Sequence, residues 1–200
     1  MRFVFLIFFS LSLYAGSDFI KQAYYDSYNY EKMQNYPDAI KALQVVYEKY
    51  PKAYTPNFRI AWLFFLNKNY TNSIKHYKLA LSVIPGSVEA KLGLAQVFNA
   101  QEKYDDSIRV AYDILQNDLY NYYANLHLVT SLNAKKEYEQ SLKIIYKMLA
   151  SYPTDVKYLS FLADIYVQQN KNKLAKSIYS DILILDPVNP NAISFLNRKQ

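Results

Sequence analysis

The chain of 200 residues has no cysteine. That excludes disulfides, thiolate metal sites and a lipid-bearing N-terminal cysteine. It has only 3 glycines and 7 prolines, so little turn material, which favours helices joined by short loops. No Gly-rich phosphate loop and no nucleophile-elbow serine occurs. Like charges do not cluster. The net charge is +6, but no run is longer than a pair such as Lys135-Lys136. Nucleic-acid binding needs basic residues gathered on one face, so that class is set aside.

Apolar residues are plentiful, at 52%, enough for a core and against global disorder. One apolar run stands apart. Arg2 precedes an almost unbroken stretch from Phe3 to Leu13, followed by the small residues Ala15, Gly16 and Ser17. A charged start, a short apolar core and a small-residue cut site make a secretory leader. Cleavage after Ala15, Gly16 or Ser17 fits. The run is shorter than the roughly 20 residues a membrane span needs. Residues 1–17 are therefore expected to be removed, leaving no stable membrane span and a protein of the periplasm or secreted space.

The rest of the sequence repeats every 34 residues. Prolines fall at Pro51, Pro85, Pro153 and Pro187, and Leu119 occupies the one missing slot. Tyr36, Tyr70, Tyr104 and Tyr138 hold a second column, with Asn172 in the fifth row. Small residues fill two more: Ser27, Ala61, Ala95, Val129 and Ala163, then Ala39, Ser73, Ser107, Ser141 and Ala175. Apolar residues flank them at steps of three and four, the spacing of one helix face. Two helices approach closely only where side chains are small. A proline stops a helix because it lacks an N–H and biases the residue before it away from helix.

A 34-residue period with these columns resembles the tetratricopeptide repeat. The resemblance implies an all-α, right-handed α-solenoid of five antiparallel hairpins, at about 20–53, 54–87, 88–121, 122–155 and 156–189. These repeats occupy residues 18–188, and residues 189–200 are read as a capping helix started by Pro190. Two departures stand out. The family's turn glycine is replaced by Gln34, Lys68, Glu102, Lys136 and Asn170. Its early tryptophan slot holds Ala23, Asn57, Lys91, Asn125 and Leu159.

The resemblance also implies a groove face. Its positions carry Lys21, Tyr24, Tyr28 and Glu31 in the first row, and Thr55, Phe58, Trp62 and Phe65 in the second. Later rows are more polar, as at Gln96, Asn99, Thr130 and Asn133. Buried aromatics dominate interface energies. Tyr24, Tyr28, Phe58, Arg59, Trp62 and Phe65 are therefore the candidate partner-binding residues. Two readings stay open: Phe58, Trp62 and Phe65 line a groove, or they pack between helices as core. Arg59 would either meet an acidic group on a ligand or stand as a solvated edge charge. His76 is expected on an outer helix position and His127 near a helix edge, with no metal set between them. Asp105-Asp106 reads as a helix N-terminus.

These features point to a non-enzymatic adaptor without cofactor. Its partner would be a protein or peptide segment, held in the periplasm or cell envelope. The alternative is a structural subunit or assembly factor of an envelope complex (outer-membrane, pilus or secretion), peripheral to it and acting through its convex face or ends.

Overall fold

In a computed structural model of the protein, backbone is described for residues 3–197 and side chains for 18–197. The leader expected at 1–17 thus lies outside the residues whose side chains are described, as does the tail 198–200. Among the described residues there are eleven helices and no strand. They are α1 (Phe3–Lys32), α2 (Tyr36–Lys49), α3 (Tyr54–Leu66), α4 (Tyr70–Val83), α5 (Val88–Ala100) and α6 (Tyr104–Leu115). Then come α7 (Tyr122–Ala134), α8 (Tyr138–Ser151), α9 (Val156–Gln168), α10 (Asn172–Leu185) and α11 (Pro190–Leu196). Two compact units result, one running to Val97 and one from Phe98 on. Within each, consecutive helices pack on one another.

The tyrosine column marks helix starts: α2, α4, α6 and α8 open on Tyr36, Tyr70, Tyr104 and Tyr138. Both small columns are buried to completion, all ten residues at 0% exposure. Ser73 adds a polar tie, its Oγ donating to the Ala61 carbonyl at 2.8 Å across the α3/α4 contact. The larger residues of the pattern fill in around these contacts. In the first unit Leu43, Ile60 and Leu63 form the core, with Tyr24, Ile40, Tyr47 and Phe64 against it. In the second, Ile145, Met148, Tyr158 and Ile165 form one cluster. Tyr179 and Ile182 form the next, and Phe195 of α11 lies on it, 4.8 Å from the Tyr179 ring. Each such side chain contributes about 1.5–3 kcal/mol on burial, against tenths for helix propensity, so packing decides the fold.

The turns explain both departures from the family pattern. Gln34, Lys68, Glu102, Lys136 and Asn170 all have positive φ, between 57° and 62°. Each donates its N–H back to the helix end, and the next residue reaches one position further, as Lys68 to Phe65 and Asn69 to Phe64. This pair of hydrogen bonds satisfies the last carbonyls of the helix, and a left-handed residue is what it requires. The tryptophan slot is used differently. Asn57 and Asn125 are fully buried there. Asn57 Nδ2 donates to the carbonyls of Pro51 and Ala53, and Asn125 Nδ2 to those of Leu119 and Asn121. Each asparagine ties the incoming loop to its helix.

The prolines act as expected. Tyr50, Ile84, Tyr152 and Asp186, which precede them, have φ between −127° and −139° and leave the helix. At the junction with Leu119 the helix end is different: α6 stops at Leu115, with Gln116 still helical in its backbone angles.

Candidate functional site

The candidate residues lie in the first unit, on α1 and α3. On α1, Tyr24, Tyr28 and Glu31 follow one another at four and three residues, so they share a face. On α3, Phe58, Trp62 and Phe65 do the same, with Arg59 beside them.

Arg59 organises this face from below. It is 7% exposed and forms an ion pair with Glu31. Its Nη2 lies 3.4 Å from Ser27 Oγ, and its guanidinium sits 3.9 Å from the centre of the Tyr28 ring. A buried cation needs such a partner, because desolvation of an unpaired charge costs several kcal/mol. Glu31 has a second role: it accepts the Trp62 indole N–H at 2.7 Å. Trp62 stacks on Phe65 with centroids 5.6 Å apart, and Phe65 meets Tyr70 at 6.0 Å. Tyr28 is 51% exposed, while Trp62 and Phe65 are half-buried. A file of aromatic surface therefore runs Tyr28, Trp62, Phe65, held by one ion pair.

The other two candidates are placed elsewhere. Phe58, expected on the far side of Trp62, stacks instead on Tyr54 at 5.6 Å and meets Tyr77 edge-on at 5.9 Å. Tyr24 packs against the core of the unit. Its hydroxyl is buried without a partner, and burial, then the neighbouring Tyr28, pushes its pKa up to about 12. Arg59 is neither a free ligand-binding charge nor a solvated edge, because Glu31 neutralises it. Sequence reasoning put Glu31 on this face but did not see that it joins Arg59 to Trp62. Opposite charges 28 positions apart in different repeats carry no local signal.

The histidines are structural. His76, expected on an outer position, is 7% exposed and stacks on Phe64 with centroids 5.5 Å apart. Its Nδ1 is 2.9 Å from Asn57 Oδ1. Asn57 uses its N–H groups on two carbonyls, so the histidine carries the proton of that bond. His127 is half-buried, with Asn99 Nδ2 facing its Nδ1 at 3.5 Å. Burial lowers both pKa values to about 4, with Lys75 adding to the effect at His76. Among the described residues no group of three or more histidine or acidic side chains could hold a metal.

Residues 28–88 match the family model for the tetratricopeptide repeat, TPR. No curated protein matches the sequence. Solved structures do match in fold. The MamA 41-end structure from Desulfovibrio magneticus RS-1 superposes with a TM-score of 0.76 at 14% identity, covering 86% of this chain and 98% of its own. A thermophilic TPR protein of Thermus thermophilus gives 0.67 at 12% identity, over 88% and 96%. PilW, a type IV pilus biogenesis factor, gives 0.74 at 16% identity, over 84% and 79%. At such identities the likeness concerns the fold: these are helical-repeat structures of the same all-α class.

Proposed function

We propose that this tetratricopeptide repeat protein is a non-enzymatic adaptor of the periplasm or cell envelope that holds a partner segment on the aromatic file of its first unit. Residues 1–17 are its leader, 18–188 its five repeats and 189–200 its cap. The observation that carries the reading is the file itself. Tyr28, Trp62 and Phe65 keep aromatic surface in reach of solvent, while the charge beneath them is already paired. Rigid, half-buried aromatics of this kind are the usual anchors of interfaces. With Arg59 neutralised by Glu31, the file suits an apolar or aromatic segment rather than an acidic tail. Tyr24 and Phe58 support it from within, Tyr24 against the core of the unit and Phe58 against Tyr54. Among the described residues no helix is long and apolar enough to cross a membrane.

Trp62 is the only tryptophan, so its emission tests the site directly. Saturation with the envelope protein that the chain captures is expected to shift the emission and to shield it from acrylamide. Unchanged emission and quenching at saturation would move the binding surface off this file.

A second reading, the structural subunit acting through its ends, is favoured by Ile184 and Val188, each 79% exposed near the C-terminal helix. Light scattering that shows a stable homo-oligomer, dissolved by Val188→Asp, would favour it over the first.

A further inference from the structure

Asp164 stands in the C-terminal half of α9 and is exposed. Other acids of the second unit have local duties. Asp118 and Asp186 accept from the amides of Asn121 and Asn189, and Asp155 caps α9. Asp164 caps nothing, and so far from the helix N-terminus its charge gains nothing from the dipole. Its Oδ1 accepts the Tyr179 hydroxyl at 2.5 Å. Tyr179 is 3% exposed and lies against Phe195, so a fixed ring holds the carboxylate in place. Asp164 Oδ2 has no partner, and no cation pairs with this carboxylate, among the described residues.

Two depressions flank it, both within the second unit. The larger, about 380 Å³, is walled by Tyr138, Phe161 and Ile165, with Asn133 and Gln168 as polar lining. The smaller, about 280 Å³, includes Tyr179, Ser194 and Phe195. Asp164 and Gln168 belong to both. Phe161, Asp164, Ile165 and Gln168 are three or four residues apart on α9, so they share one face. Tyr138 and Phe161 are half-buried, with ring surface left open. Asn133 Oδ1 is buried with no hydrogen-bond partner. Rotation of this amide about χ2 would present the oxygen to the depression as a second acceptor. One cation stands at the rim: Lys136, exposed at the turn between α7 and α8.

We propose that the larger depression receives an arginine side chain of a partner polypeptide, its guanidinium forked onto Asp164 and its flat faces against Phe161 and Tyr138. Charge complementarity selects the class, because the carboxylate is held ready and lacks a counter-charge. Shape selects arginine. A guanidinium is planar, stacks on rings and offers paired N–H groups to a carboxylate. It has further N–H groups for Asn133 or Gln168. A lysine ammonium is a compact, strongly hydrated point charge and can do neither. The site shares no residue with the aromatic file, and either stands without the other.

The test is amide NMR of the purified protein, titrated with acetyl-Gly-Arg-Gly-amide and with the same peptide carrying citrulline, the uncharged isostere, in place of arginine. The lysine peptide and free L-arginine are run beside them. The arginine peptide is expected to shift Phe161, Asp164, Gln168 and the Asn133 side-chain amide. It is expected to bind about tenfold more tightly than the citrulline peptide. Asp164→Asn, which keeps an oxygen for the Tyr179 hydroxyl, is expected to abolish that difference. Lys136→Gln is expected to tighten binding about twofold to threefold by removing the like charge at the rim. The comparison of arginine with citrulline needs no variant, so a misfolded one does not decide the outcome. Equal binding of those two peptides, or shifts confined to other regions, would overturn the proposal. Lysine binding as tightly as arginine would overturn the guanidinium. Free L-arginine binding more tightly than the peptide would overturn the polypeptide occupant and put a small solute in its place.

Discussion

Gly93 of α5 lies directly against the ring of Tyr77 on α4: a Cβ at Gly93 would come within 2.3 Å of the ring's Cζ. Tyr77 is 2% exposed and also meets Phe58, so the ring has no room to retreat. Glycine is needed here for space, since its φ is not in the left-handed region. Gly93→Ala is therefore expected to lose about 1–3 kcal/mol, the cost of overpacking, despite alanine's better helix propensity. Urea unfolding checks this. A rescue by Gly93→Ala combined with Tyr77→Leu would confirm that the ring is the obstacle.

The five left-handed turn residues carry a second expectation. A side chain in that region costs about 1–2 kcal/mol, which glycine avoids at some cost in unfolded-state entropy. Lys68→Gly, Glu102→Gly and Lys136→Gly are each expected to stabilise by about 0.5–1 kcal/mol. Asn170→Gly should gain least, because asparagine tolerates the conformation. Thermal midpoints would rise by about 2–4 °C per kcal/mol for a chain of this length.

The small-residue column separates two serines. Ser73 Oγ donates to Ala61 O, whereas Ser141 Oγ is buried without a partner. Ser73→Ala is expected to cost about 1 kcal/mol. Ser141→Ala is expected to be neutral or stabilising, since it removes a buried hydroxyl with no hydrogen bond. Denaturation midpoints of the two variants measured side by side decide it; equal losses would contradict the assignment.

Acid sensitivity follows from the histidines. Both have folded pKa values near 4, below the usual 6.5. Their contribution is therefore full above pH 6.5, where both states are neutral. It falls as pH drops from 6.5 towards 4, because only the unfolded chain takes up the protons. Between pH 7 and 5, ahead of most carboxylates, each should remove on the order of 1–2 kcal/mol. His76→Gln and His127→Gln are each expected to flatten the slope of stability against pH by about half.

The period was legible because each column has one geometric cause. A small residue at Ala39, Ser73 or Ser141 has nowhere else to be useful than a close helix contact, and Pro51 or Pro85 can only end a helix. The early stop of α6 was not legible: Leu119 shows that a proline is missing but not that two residues leave the helix. On the candidate face, Tyr28, Trp62 and Phe65 were singled out by the groove positions that the family resemblance implies. The turning of Phe58 to Tyr54, and the burial of Arg59 and His76, were not legible. A charged or titratable side chain does not reveal its exposure until its partner is known, and Glu31 and Asn57 are brought there by tertiary packing.

We propose the file of Tyr28, Trp62 and Phe65 as the seat of the partner. It is tested most directly by capture from the source organism's cell-envelope fraction, with the protein and its Tyr28→Ala/Trp62→Ala variant as parallel baits, each checked by circular dichroism. One envelope protein is expected to be retained by the wild type and lost by a folded variant. The same proteins retained by both baits would contradict it.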